Sequence, residues 1–230
     1  MPKVNKDYID NKRMQILDAA LMIFQKKPLY EMTMLDIIKK AGLSKGGIYR
    51  YFSDIDEVFI ALINRETLQN NYKHRIDEIL RSSDTSKAAI EALFTFLGNY
   101  IDNSPVILGK IQFELTVYLT NHPEKADKIM NRLTEQENGQ YLVSVLFNKI
   151  LDGVNKGELT PAFPIQDIFS YITTTIDGVV NKMVLQKCYG DANYNDTHKI
   201  DVIKLFRFLS YSVLNMLVEE KKEVLKENNA

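Results

Sequence analysis

The chain has no tryptophan, one cysteine, ten glycines and six prolines in 230 residues. The single Cys188 excludes an internal disulfide, and its apolar helical surroundings leave two readings, a small buried hydrophobe or a redox-sensitive thiol. No strand-like alternation appears, and no apolar run reaches the length of a membrane span. The start MPKVNKDYIDNK lacks the hydrophobic region of an export signal, which points to the cytoplasm and away from membranes. Catalytic patterns are missing too. His74, His122 and His198 fall in separate predicted elements, no His/Cys/Asp group has metal spacing, and no nucleophile-elbow, zincin or dinucleotide fingerprint is present. The expectation is no catalytic residue, no metal and no cofactor.

What is present is ordinary in amount and uneven in placement. Hydrophobic content of 45% and charged content of 26% suit a soluble globular chain, and the length suits one small domain plus one medium domain. Residues 1–52 hold ten Lys/Arg against five Asp/Glu, a net +5, whereas the remainder holds nineteen against twenty-five, a net −6. A basic head on an acidic body fits a nucleic-acid-binding module joined to a body with another task. Lys3, Lys6, Lys12 and Arg13 are either a basic arm beside a duplex or solubilising charges at a terminus.

Within the head, the stretch TMLDIIKKAGLSKGGIYRYF, residues 33–52, has the punctuation of a helix-turn-helix. Thr33 is a cap for a helix starting at Met34, with Asp36 completing the box; Ile37, Ile38 and Ala41 form the inner face, and Gly42 ends the helix. Ser44 caps a second helix whose buried stripe is Ile48 and Phe52. Its outward residues are Lys45, Gly46, Tyr49, Arg50 and Tyr51. Two glycines in so short a helix cost about 1 kcal/mol each relative to alanine, so they need a reason. Either a DNA phosphate backbone approaches them or two protein helices pack there. A phosphate loop is excluded by the missing G-x-x-x-x-G-K-[ST] spacing.

An opening helix KRMQILDAALMIF, then T-M-x-x-I-x-x-x-A-G-L-S-K-G-x-I-Y-x-Y-F, then a helix opened by DIDEVF, resembles the TetR family of transcriptional regulators. The resemblance spans residues from about 12 to about 62. Pro28 and Tyr30 stand in a segment where the family commonly has a glycine, and Ile55 stands where it usually has a lysine. The resemblance implies an all-α fold with a three-helix DNA-binding domain over residues 1–53 and an effector-binding and dimerisation bundle over 54–230. It further implies double-stranded DNA as partner, with contacts from Thr33, Ser44, Lys45, Gly46, Tyr49, Arg50 and Tyr51, and regulation by a small molecule.

Beyond the head the pattern is helix after helix. The first helix is expected at about 10–26, with Ile16, Leu17, Ala20, Leu21 and Phe24 on one face. Ser53 with Asp56 reads as the cap of a rod running uninterrupted from 54 past Leu80, and further helices are expected at 86–102, 105–119, 124–153, 165–188 and 198–222. The last two are apolar over unusually broad faces. Ile172, Ile176, Gly178, Val179, Phe206, Leu209 and Val213 are therefore expected at a homodimer seam, the alternative being a monomer that buries both helices itself. Polar residues set among apolar ones, Gln112, Glu114 and Tyr118 on one helix and Tyr171, Thr174, Asp177 and Asn181 on another, form a candidate cavity for an apolar or amphipathic effector, or else a plain surface. If Glu114 or Asp177 faces inward, the effector should be cationic or a hydrogen-bond donor.

The expected function is a homodimeric repressor on palindromic operator DNA, released by a small molecule. A regulator of the same fold controlled by a protein partner is the first alternative, and a helical adaptor without DNA binding is the second.

Overall fold

A computed structural model describes residues 6–69, 72–103, 106–133, 137–189 and 199–217. Every regular element among the described residues is helical, so the chain is all-α. The helices are α1 (Lys6–Phe24), α2 (Met34–Ala41), α3 (Lys45–Ile48), α4 (Ile55–Gln69), α5 (Lys73–Ser82), α6 (Ser86–Asn103), α7 (Val106–Asn121), α8 (Ala126–Met130), α9 (Glu137–Asn155), α10 (Ile165–Val184) and α11 (Val202–Leu217). No helix among the described residues is long and apolar enough to cross a membrane.

The chain divides into two compact units, the first comprising residues 1–72, 104–139 and 181–199, and the second 73–103, 140–180 and 200–230. In the first unit, Ile16, Leu17, Ala20 and Phe24 of α1 meet Ile37 and Ala41 of α2, Ile48 and Phe52, and Val58, Phe59 and Leu62 of α4. Phe24 and Phe59 pack with ring centroids 5.6 Å apart. Ile107 and Ile111 of α7 belong to the same core. The packing therefore does not follow the expected boundary after residue 53, because the apolar face of α7 is buried with the head.

In the second unit α6 lies against α11. Gly98 permits the approach: a Cβ there would sit 2.8 Å from the Cβ of Phe206, inside contact distance. The turn after α9 closes the unit, with the Thr160 and Ala162 amides donating to the carbonyls of Leu217 and Met216 at 2.7 and 2.8 Å. These bonds tie that turn to the last described residues of α11.

Three expected helices depart from the sequence pattern. The rod from 54 past Leu80 ends at Gln69, and α5 begins at Lys73. Asn70 and Asn71, between the two helices, lie outside the described residues. The expected helix over 124–153 is a 3₁₀ turn at Pro123–Lys125, then α8, then α9. The one over 165–188 is regular to Val184 and finishes in a wider π-type turn at Leu185–Tyr189. The expected end of the last helix, 218–222, lies outside the described residues.

Candidate nucleic-acid interface

The capping box at Thr33 forms as its spacing predicts. The Asp36 amide donates to Thr33 Oγ1 at 3.2 Å, and the Asp36 carboxylate accepts from the Thr33 amide at 3.1 Å. The Thr33 hydroxyl bond holds the Asp36 carboxyl below its ordinary pKa. Gly42 takes φ 64° and turns the chain. Ser44 Oγ accepts the Gly47 amide at 3.1 Å and starts α3. Regular α3 stops at Ile48, and Tyr49 to Tyr51 continue as a turn in which the Tyr51 and Phe52 amides both donate to the Ile48 carbonyl.

Ile48 and Phe52 are buried, while Ser44, Lys45, Gly46, Tyr49 and Arg50 are exposed and Tyr51 is half-buried. Tyr49, a large aromatic, keeps 45% of its surface open. The two glycines have separate reasons. A Cβ on Gly46 would meet nothing within 4 Å, and one on Gly47 would come within 3.1 Å of the capping Ser44 Oγ. Among the described residues of this chain, no neighbouring helix comes within 4 Å of a Cβ at either glycine.

Side chains of α1 lock this module. Arg13 Nη1 donates to the Tyr51 carbonyl at 3.0 Å and its guanidinium lies 4.4 Å from the Phe52 ring centroid. Gln15 Nε2 donates to the Ala41 carbonyl at 2.8 Å, closing the end of α2. Arg13 is thus a strut and not part of a free basic arm; Lys3 lies outside the described residues.

The far side of the module is tied to α7 and α8. Asp54, rather than Ser53, caps α4 through the Glu57 amide at 2.8 Å, and Glu57 accepts the Ser53 amide at 2.7 Å. Asp56, expected as part of the cap, is buried and accepts the Tyr118 hydroxyl at 2.7 Å, with Lys125 Nζ at 3.2 Å. Lys128 pairs with Asp54 at 3.4 Å and Arg132 with Glu57 at 3.1 Å. Glu114 accepts the amide of Leu29, at the start of the 3₁₀ turn Leu29–Glu31 before α2, at 3.1 Å. These partners of the head were invisible at sequence level, since pairs 50 to 90 positions apart leave no periodic trace.

The residues expected to form an effector cavity are not one set. Gln112, Glu114, Tyr118 and Asn181 belong to the first unit, and Tyr171, Thr174 and Asp177 to the second. Gln112, Tyr171, Thr174 and Asp177 are exposed, and Asn181 is half-buried. Glu114 is inward, as one alternative required, yet it already has a cationic partner in Lys110, whose Nζ lies 3.5 Å away. A cationic effector is therefore not required to neutralise it. Glu114 and Tyr118 border a cleft of about 290 Å³ with Leu29, Tyr30, Val117, Asn121 and His122.

The expected seam needs a larger correction. Ile172, Val179, Phe206, Leu209 and Val213 are buried within the single chain, so their apolar surface is already spent on its own core. Ile176 is half-buried and Gly178 exposed, with open space where a Cβ would stand. The exposed face of α11 instead carries Phe208 and Tyr211, at 56% and 70% exposure.

Residues 16–62 match the profile of the bacterial regulatory proteins of the tetR family. Over 229 residues the chain is 27% identical to the uncharacterized HTH-type transcriptional regulator YfiR of Bacillus subtilis, covering 96% of this chain and 99% of that one. It is 25% identical to the fatty acid metabolism regulator protein of the same organism, over 90% of this chain and 94% of that one. Among solved structures, FadR of Bacillus subtilis in complex with stearoyl-CoA superposes with a TM-score of 0.54 at 18% identity, over 88% of this chain and 97% of that one. Residues 16–62 therefore form a helix-turn-helix domain of the tetR type, and the chain as a whole is similar to transcriptional regulators that carry such a domain.

Proposed function

We propose that the chain reads operator DNA with the Ser44–Tyr51 segment, as a homodimer whose affinity falls when a small apolar or amphipathic molecule binds. The observation that carries this reading is the exposed row Ser44, Lys45, Gly46, Tyr49 and Arg50 standing on buried Ile48 and Phe52. A short helix held rigidly on its inner side, with an open glycine, a cation and an aromatic outward, suits the major groove. On this reading Thr33 and the partly open Tyr51 meet phosphates, contacts that orient without reading sequence. A repressor on a palindromic site is the form this takes if two heads are related by a twofold axis.

The dimer surface we assign to the outward faces of α10 and α11: Tyr171, Thr174 and Gly178 on one, Phe208 and Tyr211 on the other. Exposed aromatics on a regular helix face, beside a glycine that leaves space for close approach, favour a partner surface. For the effector, stearoyl-CoA is the first compound to test, because a protein of the same fold is known in complex with it.

The test is recovery of genomic DNA fragments on the immobilised full chain, then titration of one retained fragment at fixed salt. Lys45→Ala and Tyr49→Ala should each weaken binding by about 1–3 kcal/mol without changing the melting temperature. Unaltered affinity in both variants would put the reading surface elsewhere, and failure of the wild-type chain to retain any DNA would end the proposal.

A further inference from the structure

Lys110 and Glu114 stand one turn apart on α7 and are 1% and 3% exposed, an ion pair enclosed within the first unit. Burying two charges is costly, and such a pair survives only when further hydrogen bonds complete it. Tyr189 supplies them. Its hydroxyl accepts from Lys110 Nζ at 2.9 Å and donates to Glu114 Oε1. The Lys110 ammonium also lies 4.1 Å from the Tyr189 ring centroid and 5.1 Å from that of Phe24 in α1. The second carboxylate oxygen of Glu114 takes the Leu29 amide.

Each oxygen of one buried carboxylate thus holds a different part of the chain. Oε1 holds the end of the π-type turn that follows α10; Oε2 holds the turn that leads, four residues later, to the Thr33 cap of α2. Wide turns of this kind are frequent at functional sites. Apolar side chains of like volume would pack this interior as well or better, so the cluster is better explained by position than by stability. We propose that Tyr189 is a latch, and that through Glu114 it sets the position of the segment that carries the DNA-reading helices; Glu114 and Tyr189 are positioning residues for DNA binding. When the hydroxyl leaves, Oε1 of the carboxylate keeps only the more distant Lys110 ammonium, so the carboxylate can reorient toward it, which loosens the Leu29 amide and the start of α2 with it. The inference rests on the DNA-reading function proposed above.

Tyr189→Phe tests it, since the substitution removes only the hydroxyl and leaves a ring to pack beside Phe113, whose centroid is 6.1 Å from that of Tyr189. Amide hydrogen exchange at Leu29 should accelerate relative to wild type, and affinity for a genomic fragment retained by the wild-type chain should fall by roughly 5-fold or more, the lower end of ordinary coupling between sites. The far-ultraviolet circular dichroism spectrum should stay that of wild type and the melting temperature, though lowered, should stay well above the assay temperature, which separates positioning from unfolding. Unchanged exchange at Leu29 overturns the latch, and faster exchange with unchanged DNA affinity overturns its role in positioning. If wild type retains no DNA, the regulator reading fails, while the exchange measurement still decides whether Tyr189 holds Leu29 through Glu114.

Discussion

At the scale of single residues, the buried charges make the sharpest claims. Replacing Lys110 by methionine leaves the Glu114 carboxylate enclosed without its cation, and removing one partner of a buried pair typically costs about 3–5 kcal/mol. Urea denaturation of Lys110→Met should show a loss of that order. The double variant Lys110→Met/Glu114→Leu should recover most of it, short of about 1–3 kcal/mol for the Leu29 amide left without an acceptor. Asp36 and Glu57 set the acid limit of the module. Thr33 holds the Asp36 carboxyl low, and the Ser53 amide does the same for Glu57. A carboxyl with a depressed folded value contributes stability above its unfolded value and loses it as pH falls through the folded value. Both caps should therefore persist through the ordinary carboxylate range and fail only below it. Amide chemical shifts of Thr33 and Ser53 followed against pH check this, and Thr33→Val should move the Asp36 transition upward. Cys188 is half-buried, and burial pushes its thiol up, which favours the reading of a small hydrophobe. Of these residues, sequence spacing disclosed only the Thr33 box, a local contact between positions three apart. Glu114 stands out in the sequence as a polar residue among apolar ones, one turn from Lys110, but its joining to Tyr189 and to Leu29 across the fold leaves no local trace.

At the scale of elements, α11 shows why an apolar helix is hard to orient from its sequence. Phe206 and Phe208 are equally hydrophobic and two positions apart, yet one is 1% exposed beneath Gly98 and the other is 56% exposed. When apolar residues nearly encircle a helix, periodicity no longer tells which face its own bundle takes. The helix-turn-helix was legible for the opposite reason: caps, a left-handed glycine and a narrow apolar stripe are all local signals. Position 206 and position 208 should accordingly respond differently to charge. If the proposed dimer forms, Phe208→Asp should yield a folded monomer, and Phe206→Asp should yield unfolded or aggregated protein in either case. A dimer in Phe208→Asp and in Tyr211→Asp, by sedimentation velocity at micromolar concentration, would place the seam on another face. Gly98→Ala should destabilise through its clash with Phe206, by about 1–3 kcal/mol, read as a lowered urea midpoint.

At the scale of the whole molecule, the question is how binding in the body reaches the head. Breaking the expected rod into α4 and α5 removes the simplest carrier, a single stiff helix from the head onward. Within the first unit, however, α7 and α8 grip the reading module on both flanks, through Glu114 before α2 and through Tyr118, Lys125, Lys128 and Arg132 at the start of α4. A ligand weakens DNA binding only as far as it prefers the arrangement in which DNA binds poorly, typically about 1–3 kcal/mol, or roughly 5- to 150-fold. Linkage makes the effect reciprocal. If stearoyl-CoA lowers affinity for a retained genomic fragment by some factor, saturating fragment must lower stearoyl-CoA affinity by the same factor. Glu114→Ala separates the two roles once open for that residue. A carboxylate that only greets an effector would leave DNA affinity without ligand untouched, whereas one that holds Leu29 lowers it when removed. We expect the second outcome: Glu114→Ala binds the fragment more weakly before any ligand is added, and the further loss on adding stearoyl-CoA is smaller than in wild type. Fluorescence anisotropy of the labelled fragment, titrated with each protein with and without the acyl compound, measures all four affinities. Wild-type affinity of Glu114→Ala without ligand would show that α7 does not position the head.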